Sequence, residues 1–133
     1  MITSKWNIKK KVLEIVYTNE ITTDQMKNSF EQIGHSQLPL DLRAIIYIRT
    51  SEYIFDSEKK KLVKIYIEGI LQKFNSIKVA LILENNDKIF DTPIAMLYAL
   101  TIDRYEYKVF SDVFSAILWL QDFKIDNNIK INK

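Results

Sequence analysis

The stretch from Arg43 to Phe74 constrains the fold of this 133-residue chain more than any other part of it. It begins with an unbroken apolar run, Ala44 to Ile48, which has the length of a strand. A strand that is apolar at consecutive positions is buried on both faces and belongs at the centre of a sheet. The segment that follows repeats apolar residues at spacings of three and four, which predicts an amphipathic helix covering the sheet. The apolar positions are Val63, Tyr66, Ile67, Ile70, Leu71 and Phe74, with Lys61, Lys64, Glu68 and Gln72 opposite them.

The chain before this stretch predicts a hairpin and a helix. Alternation around Trp6, followed by the run VLEIVY, is typical of two antiparallel strands. Thr22 and Gln25 match a capping box at the start of a helix, and we expect Gly34 to end that helix as its C′ residue.

The chain after this stretch continues the alternation of strands and helices. We predict a second doubly buried strand at 77–83, a short buried helix from Pro93 to Leu100, a strand at 105–110 and a last helix capped by Ser111. The order is β-β-α-β-α-β-α-β-α. This order predicts an α/β fold with a mixed sheet of about five strands and four helices, parallel in its later strands.

Composition limits the class of protein. We expect a single domain over 1–123 and a polar, frayed tail over 124–133. The absence of cysteine excludes disulfides and thiolate metal sites. A net charge of +2, from 19 basic and 17 acidic residues, does not suit general nucleic-acid binding. Neither a signal peptide nor a transmembrane segment is recognisable, so we expect a soluble, cytoplasmic protein.

Three motifs in this order resemble the SpoIIAA-like superfamily, which includes the STAS domains of anti-sigma factor antagonists and sulphate transporters. They are AIIYIRTSEYIFDS from Ala44, KVALILEN from Lys78 and VFSDVFSAILWL from Val109. The last is similar to a helix of the poorly characterised, divergent SpoIIAA-like branch. The resemblance covers most of residues 5–121 and implies a SpoIIAA-like fold in a bacterial protein.

The resemblance also suggests a switch at the start of the long helix. Bacterial antagonists carry an Asp-Ser pair there, whose serine is phosphorylated, and the matching pair here is Asp56-Ser57. Small residues follow the pair in the antagonists, whereas this chain continues with Glu58 and three lysines. The resemblance implies Ser57 as a phosphoryl acceptor; the alternative is that Ser57 or Asp56 only caps the helix.

The lysines after Ser57 stand where positive charge opposes the helix dipole. They are Lys59, Lys60, Lys61 and Lys64. One interpretation is that they form, with Asp56, a surface for an acidic partner or an anion. The other is an ordinary solvated helix face.

Catalysis has little support in the sequence. His35 is the only histidine, and no spacing of ligands predicts a metal or any other cofactor. Glu84, Asp87 and Asp91 cluster after a buried strand, where turn and cap roles explain them.

The function that we predict is therefore a noncatalytic, STAS-like interaction or regulatory module whose partner is another protein. The first alternative is a carrier of a small apolar or lipid ligand. The second is a small hydrolase using Ser57, His35 or the carboxylates near Asp87. A homodimer formed through a helix face stays open.

Overall fold

The computed structural model describes residues 1–49, 52–54, 57–83 and 104–121. The helices are α1 (Thr23–His35), α2 (Ser57–Leu71) and α3 (residues 113–121). The strands are β1 (Ile2–Asn7), β2 (Val12–Tyr17), β3 (Glu20–Thr22), β4 (Asp41–Ile48), β5 (Glu52–Ile54), β6 (Ser76–Leu83) and β7 (Tyr105–Phe110).

Five of the strands form one mixed sheet in the order β1-β2-β4-β6-β7. β1 and β2 form the predicted antiparallel hairpin, and every later neighbour in this sheet is parallel. β4 lies at the centre and aligns with β6 along its whole length, from Asp41 opposite Ser76 to Ile48 opposite Leu83. The predicted α/β class, mixed sheet and central strand are confirmed.

The described part of the chain contains three helices, where four were predicted. The predicted helix from Pro93 to Leu100 and the predicted tail at 124–133 lie outside the described residues. Sequence reasoning also missed β3 and β5, which pair in parallel from Glu20 opposite Glu52 to Thr22 opposite Ile54. Each has only three residues, too few for a period of two to be recognised.

The sheet is covered on both faces, which explains its unbroken apolar runs. Ala44, Ile46 and their neighbours at alternate positions pack with residues of α1 and α2. Ile45 and Ala80 face the other way and pack with Ala116 of α3. Lys78 holds α3 in place, because its Nζ donates to the carbonyl oxygen of Trp119 at 3.0 Å and lies 4.3 Å from the centroid of that ring.

The capping box that begins α1 is confirmed. The Thr22 hydroxyl accepts a hydrogen bond from the backbone N–H of Gln25 at 3.2 Å. The Gln25 side chain in turn accepts from the backbone N–H of Thr22 at 3.2 Å. Two backbone donors at the helix start are thereby satisfied.

Two expectations about helix ends were wrong. Gly34 does not end α1, which continues to His35 and has Ser36 as its C-cap. A Cβ at Gly34 would stand 2.9 Å from Cγ2 of Ile70, so this glycine lets α1 approach α2 closely. At the start of α3 the cap is Asp112 rather than Ser111, since Asp112 Oδ1 accepts from the Ser115 N–H at 2.8 Å.

Candidate partner-binding surface

Of the surface predicted around the start of α2, Lys59 lies where α1 and α2 run side by side in the same direction. At their N-terminal ends, Lys59 Nζ stands 3.9 Å from Asp24 Oδ2. At their C-terminal ends, Lys73 Nζ donates to the carbonyl oxygen of Gly34 at 2.7 Å and to that of Ser36 at 3.2 Å. Lys73 therefore satisfies the last carbonyls of α1 while the first turns meet through Lys59.

Ser57 is the first residue of α2, as the sequence predicted. Lys59 lies in the first turn on the side that faces α1. Lys61 is exposed and Lys64 half-buried, and at 3.6 residues per turn Lys61 points about 160° away from Lys59 around the helix. The structure thus separates Lys59 from Lys61 on two sides of α2. Asp56, and the side chains of Ser57 and Lys60, lie outside the described part of the protein.

Between the two helices lies an open groove of about 310 Å³, here called the α1–α2 groove. Its lining residues are Asp24, Lys27, Lys59, Leu62, Val63 and Tyr66. Val63 is buried and Leu62 is exposed, so apolar surface lies between two lysines and one carboxylate.

Tyr66 is held in position by two residues of α1. The ammonium of Lys27 stands 5.1 Å from the centroid of its ring, a cation–π contact. Partial burial, the negative charge of Glu31 and a hydrogen bond to the Glu31 carboxylate raise the pKa of the Tyr66 hydroxyl. Tyr66 is therefore a neutral, oriented aromatic side chain at the edge of the groove.

The side of α2 turned away from the sheet is apolar as well. Leu62 is 68 % exposed, Ile65 66 % and Tyr66 37 %. Gly69 continues the same stripe, and a Cβ added there would meet no described residue within 4 Å. We call these four residues the outer face of α2. Sequence reasoning missed Leu62 and Ile65 and placed Tyr66 in the core. The feature that could have identified this face is a second series of apolar residues in α2, also at spacings of three and four.

A hydrolytic centre formed by Ser57 and His35 does not fit this arrangement. His35 is exposed at the C-terminal end of α1, whereas Ser57 begins the neighbouring parallel helix. The length of α1 separates the two positions by about 18 Å. Glu84, Asp87 and Asp91 lie outside the described residues, and within the described ranges no three His, Asp or Glu side chains cluster as metal ligands.

An enclosed apolar cavity lies between the sheet and the helices, beside Phe30, Leu71 and Tyr105. Its volume is about 20 Å³. Ligand sites are typically about 300 Å³ or larger, so this cavity would not hold a lipid or another apolar ligand.

No helix in the described part of the chain is long and apolar enough to cross a membrane. Comparisons with protein-family models, with curated proteins and with solved structures find no match. The SpoIIAA-like resemblance therefore stays a prediction.

Proposed function

We propose that this protein is a noncatalytic interaction or regulatory module, related to STAS domains, that binds another protein in the α1–α2 groove beside the start of α2. The observation that carries the proposal is the composition of the groove. Exposed apolar surface of Leu62 and Tyr66 lies between the cations Lys27 and Lys59. Protein interfaces combine these elements, an apolar centre with aromatic residues and a charged rim.

The ion pair at the rim of the groove can be replaced by an ion pair with a bound protein. The 3.9 Å pair of Lys59 and Asp24 joins side chains that are 58 % and 70 % exposed. Such pairs contribute little to stability, on the order of 0–1 kcal/mol. An acidic side chain of a partner can therefore take over Lys59 at small cost to the fold.

Ser57 adds a regulatory element to this proposal. As the first residue of α2, it stands where a phosphate would be favoured by the helix dipole and by nearby lysines. Phosphorylation would add negative charge at the start of α2, the helix that contributes Lys59 to the groove, and would thereby change which partners bind. Peptide mapping after incubation of wild type and Ser57→Ala with cell extract and ATP tests this part. If wild type is never modified at Ser57, the switch is refuted, while partner binding is judged separately.

Neutralising the groove rim tests the proposal itself. We expect the double variant Lys27→Gln/Lys59→Gln to lose a protein that wild type captures from extract of the source cell. The matched control is Lys9→Gln/Lys10→Gln, which makes the same change in net charge at exposed residues outside the groove. Capture should be quantified by mass spectrometry. Equal recovery by both double variants would refute the groove as the binding site.

A further inference from the structure

We infer that two copies of this protein form a symmetric homodimer in which their α2 helices pack antiparallel through the outer face. Leu62 and Ile65 expose about two thirds of their surface, 68 % and 66 %, on adjacent turns of one helix. A stripe of this kind at spacings of three and four is typical of a helix that packs on another helix.

Gly69 has no side chain and therefore leaves a shallow depression in the outer face, here called the Gly69 notch. A Cβ there would have no atom of a described residue within 4 Å, so packing within the described part of the chain does not require a glycine at this position. Glycine in a helix interior destabilises the helix relative to alanine. A glycine on an exposed apolar stripe, with no described residue packed beside it, is explained if the side chain of another helix occupies that space.

The outer face is complementary to itself under two-fold symmetry. Leu62 and Gly69 lie at equal distances in sequence from the midpoint between Ile65 and Tyr66. An antiparallel pair centred on this midpoint places Leu62 of each copy over the Gly69 notch of the other. Ile65 and Tyr66 of the two copies then meet at the centre.

The charged residues beside the stripe favour an antiparallel arrangement of the two copies. Lys61 and Glu68 flank the stripe on the same side of α2, since seven residues bring the helix round to within about 20° of its starting direction. In the antiparallel pair, Lys61 of one copy stands opposite Glu68 of the other. A parallel pair has its two-fold axis along the helices, so Lys61 of one copy and Glu68 of the other would lie on opposite sides of the interface, and the two helix dipoles would be aligned unfavourably. A second copy in the antiparallel orientation therefore offers this face both apolar side chains and complementary charges.

The interface is small because one helix from each copy forms it. It falls below the roughly 800 Å² per partner of standard interfaces. We expect a dissociation constant on the order of micromolar or weaker, and hence an equilibrium that depends on concentration. The dimer goes beyond the proposed function, although it would cover Leu62 and Tyr66, which also line the α1–α2 groove.

Sedimentation velocity of the full chain over a wide concentration range tests the inference. Wild type should shift from monomer to dimer with rising concentration. Lys61→Glu and Glu68→Lys should each weaken the dimer by about tenfold, because two ion pairs become repulsive. The double variant Lys61→Glu/Glu68→Lys should restore the dimer, which a merely destabilised fold would not do.

Gly69→Gln tests the notch without harming the helix, because glutamine is a better helix former than glycine. It should abolish the dimer at every concentration while the circular dichroism spectrum stays that of wild type. Phe114→Gln is the control, since Phe114 is 73 % exposed on α3 and should leave the dimer unchanged. A wild type that stays monomeric throughout, or a dimer that survives both Gly69→Gln and the single charge reversals, would overturn the inference. Residues 68 and 69 lie outside the α1–α2 groove, so this result and the capture of a partner by the groove can fail separately.

Discussion

The two apolar sides of α2 differ in what surrounds them, although they carry the same kinds of residue. Ile67 on the inner side is 0 % exposed and packs into the core with Val63 and Leu71, whereas Ile65, half a turn away, is 66 % exposed. Packing against the sheet and α1 explains the first side. Among the described residues, the core clusters include the first side and leave Leu62 and Ile65 of the second exposed, so we assign stability to the inner side and association to the outer face.

Replacing one isoleucine on each side of α2 with alanine should give the largest difference in the free energy of unfolding. Ile67→Ala should lower the free energy of unfolding by about 2–5 kcal/mol, because it leaves a cavity in the core. Ile65→Ala should change it by less than about 0.5 kcal/mol when measured at a concentration where the protein is monomeric. Urea unfolding followed by circular dichroism provides both values. Similar losses for the two variants would contradict the assignment of separate roles.

The buried Tyr17 and the more exposed Tyr66 should differ in the same way in how much they affect stability at alkaline pH. Tyr17 lies buried in the core that α2 covers, and burial, with Tyr53 and Tyr105 nearby, raises its pKa far above the usual value of 10.0. In the unfolded chain it ionises near pH 10, so its contribution to stability is complete below pH 10 and is lost as pH rises from there towards the folded pKa. The free energy of unfolding should fall by up to about 1.4 kcal/mol per pH unit in that window.

Tyr17→Phe should reduce the loss of stability at alkaline pH, whereas Tyr66→Phe should change that loss only slightly. Tyrosinate absorbance supplies a second measurement, in which the buried Tyr17 should ionise only with unfolding. An alkaline loss of the same size in Tyr17→Phe would show that Tyr17 is not its source.

The two glycines should respond to alanine in opposite directions. Gly34→Ala brings a Cβ within 2.9 Å of Ile70 Cγ2, so we expect it to lower the free energy of unfolding by about 1 kcal/mol. The Cβ of Gly69→Ala meets no described residue within 4 Å, so this substitution should raise the free energy of unfolding by about 0.5–1 kcal/mol through helix propensity. In an Ile70→Ala background the loss caused by Gly34→Ala should disappear. Thermal unfolding at low protein concentration measures all four variants, and losses of equal size at both glycines would refute the close approach of α1 to α2.

The sequence was sufficient to predict those features of the fold that depend on residues close together in the chain. The runs 44–48 and 77–83 predicted strands buried on both faces because, apart from Lys78, both of their side-chain rows are apolar. Thr22 and Gln25 predicted the start of α1 because their hydrogen bonds span only three residues. Ser57 was placed correctly at the start of α2 because the helical spacing of apolar residues follows it directly.

Features that depend on residues far apart in the chain could not be predicted. Gly34 looked like a helix stop because its contact with Ile70 exists only once α1 and α2 are packed. The α1–α2 groove likewise requires Lys27 of one helix beside Tyr66 of the other. The outer face was missed for a different reason: α2 carries two apolar series, and spacing alone does not say which of them the sheet covers.

The absence of cysteine from the chain permits the most direct test of the outer face. Ile65→Cys places one thiol per copy beside the proposed two-fold axis, and Phe114→Cys places one at an equally exposed position on α3. The measurement is the rate of disulfide-linked dimer formation in a glutathione buffer. We predict a rate about tenfold or more higher for Ile65→Cys, because the dimer holds the two thiols at a high effective concentration. Equal rates for the two variants would contradict the assignment of the outer face of α2 to association.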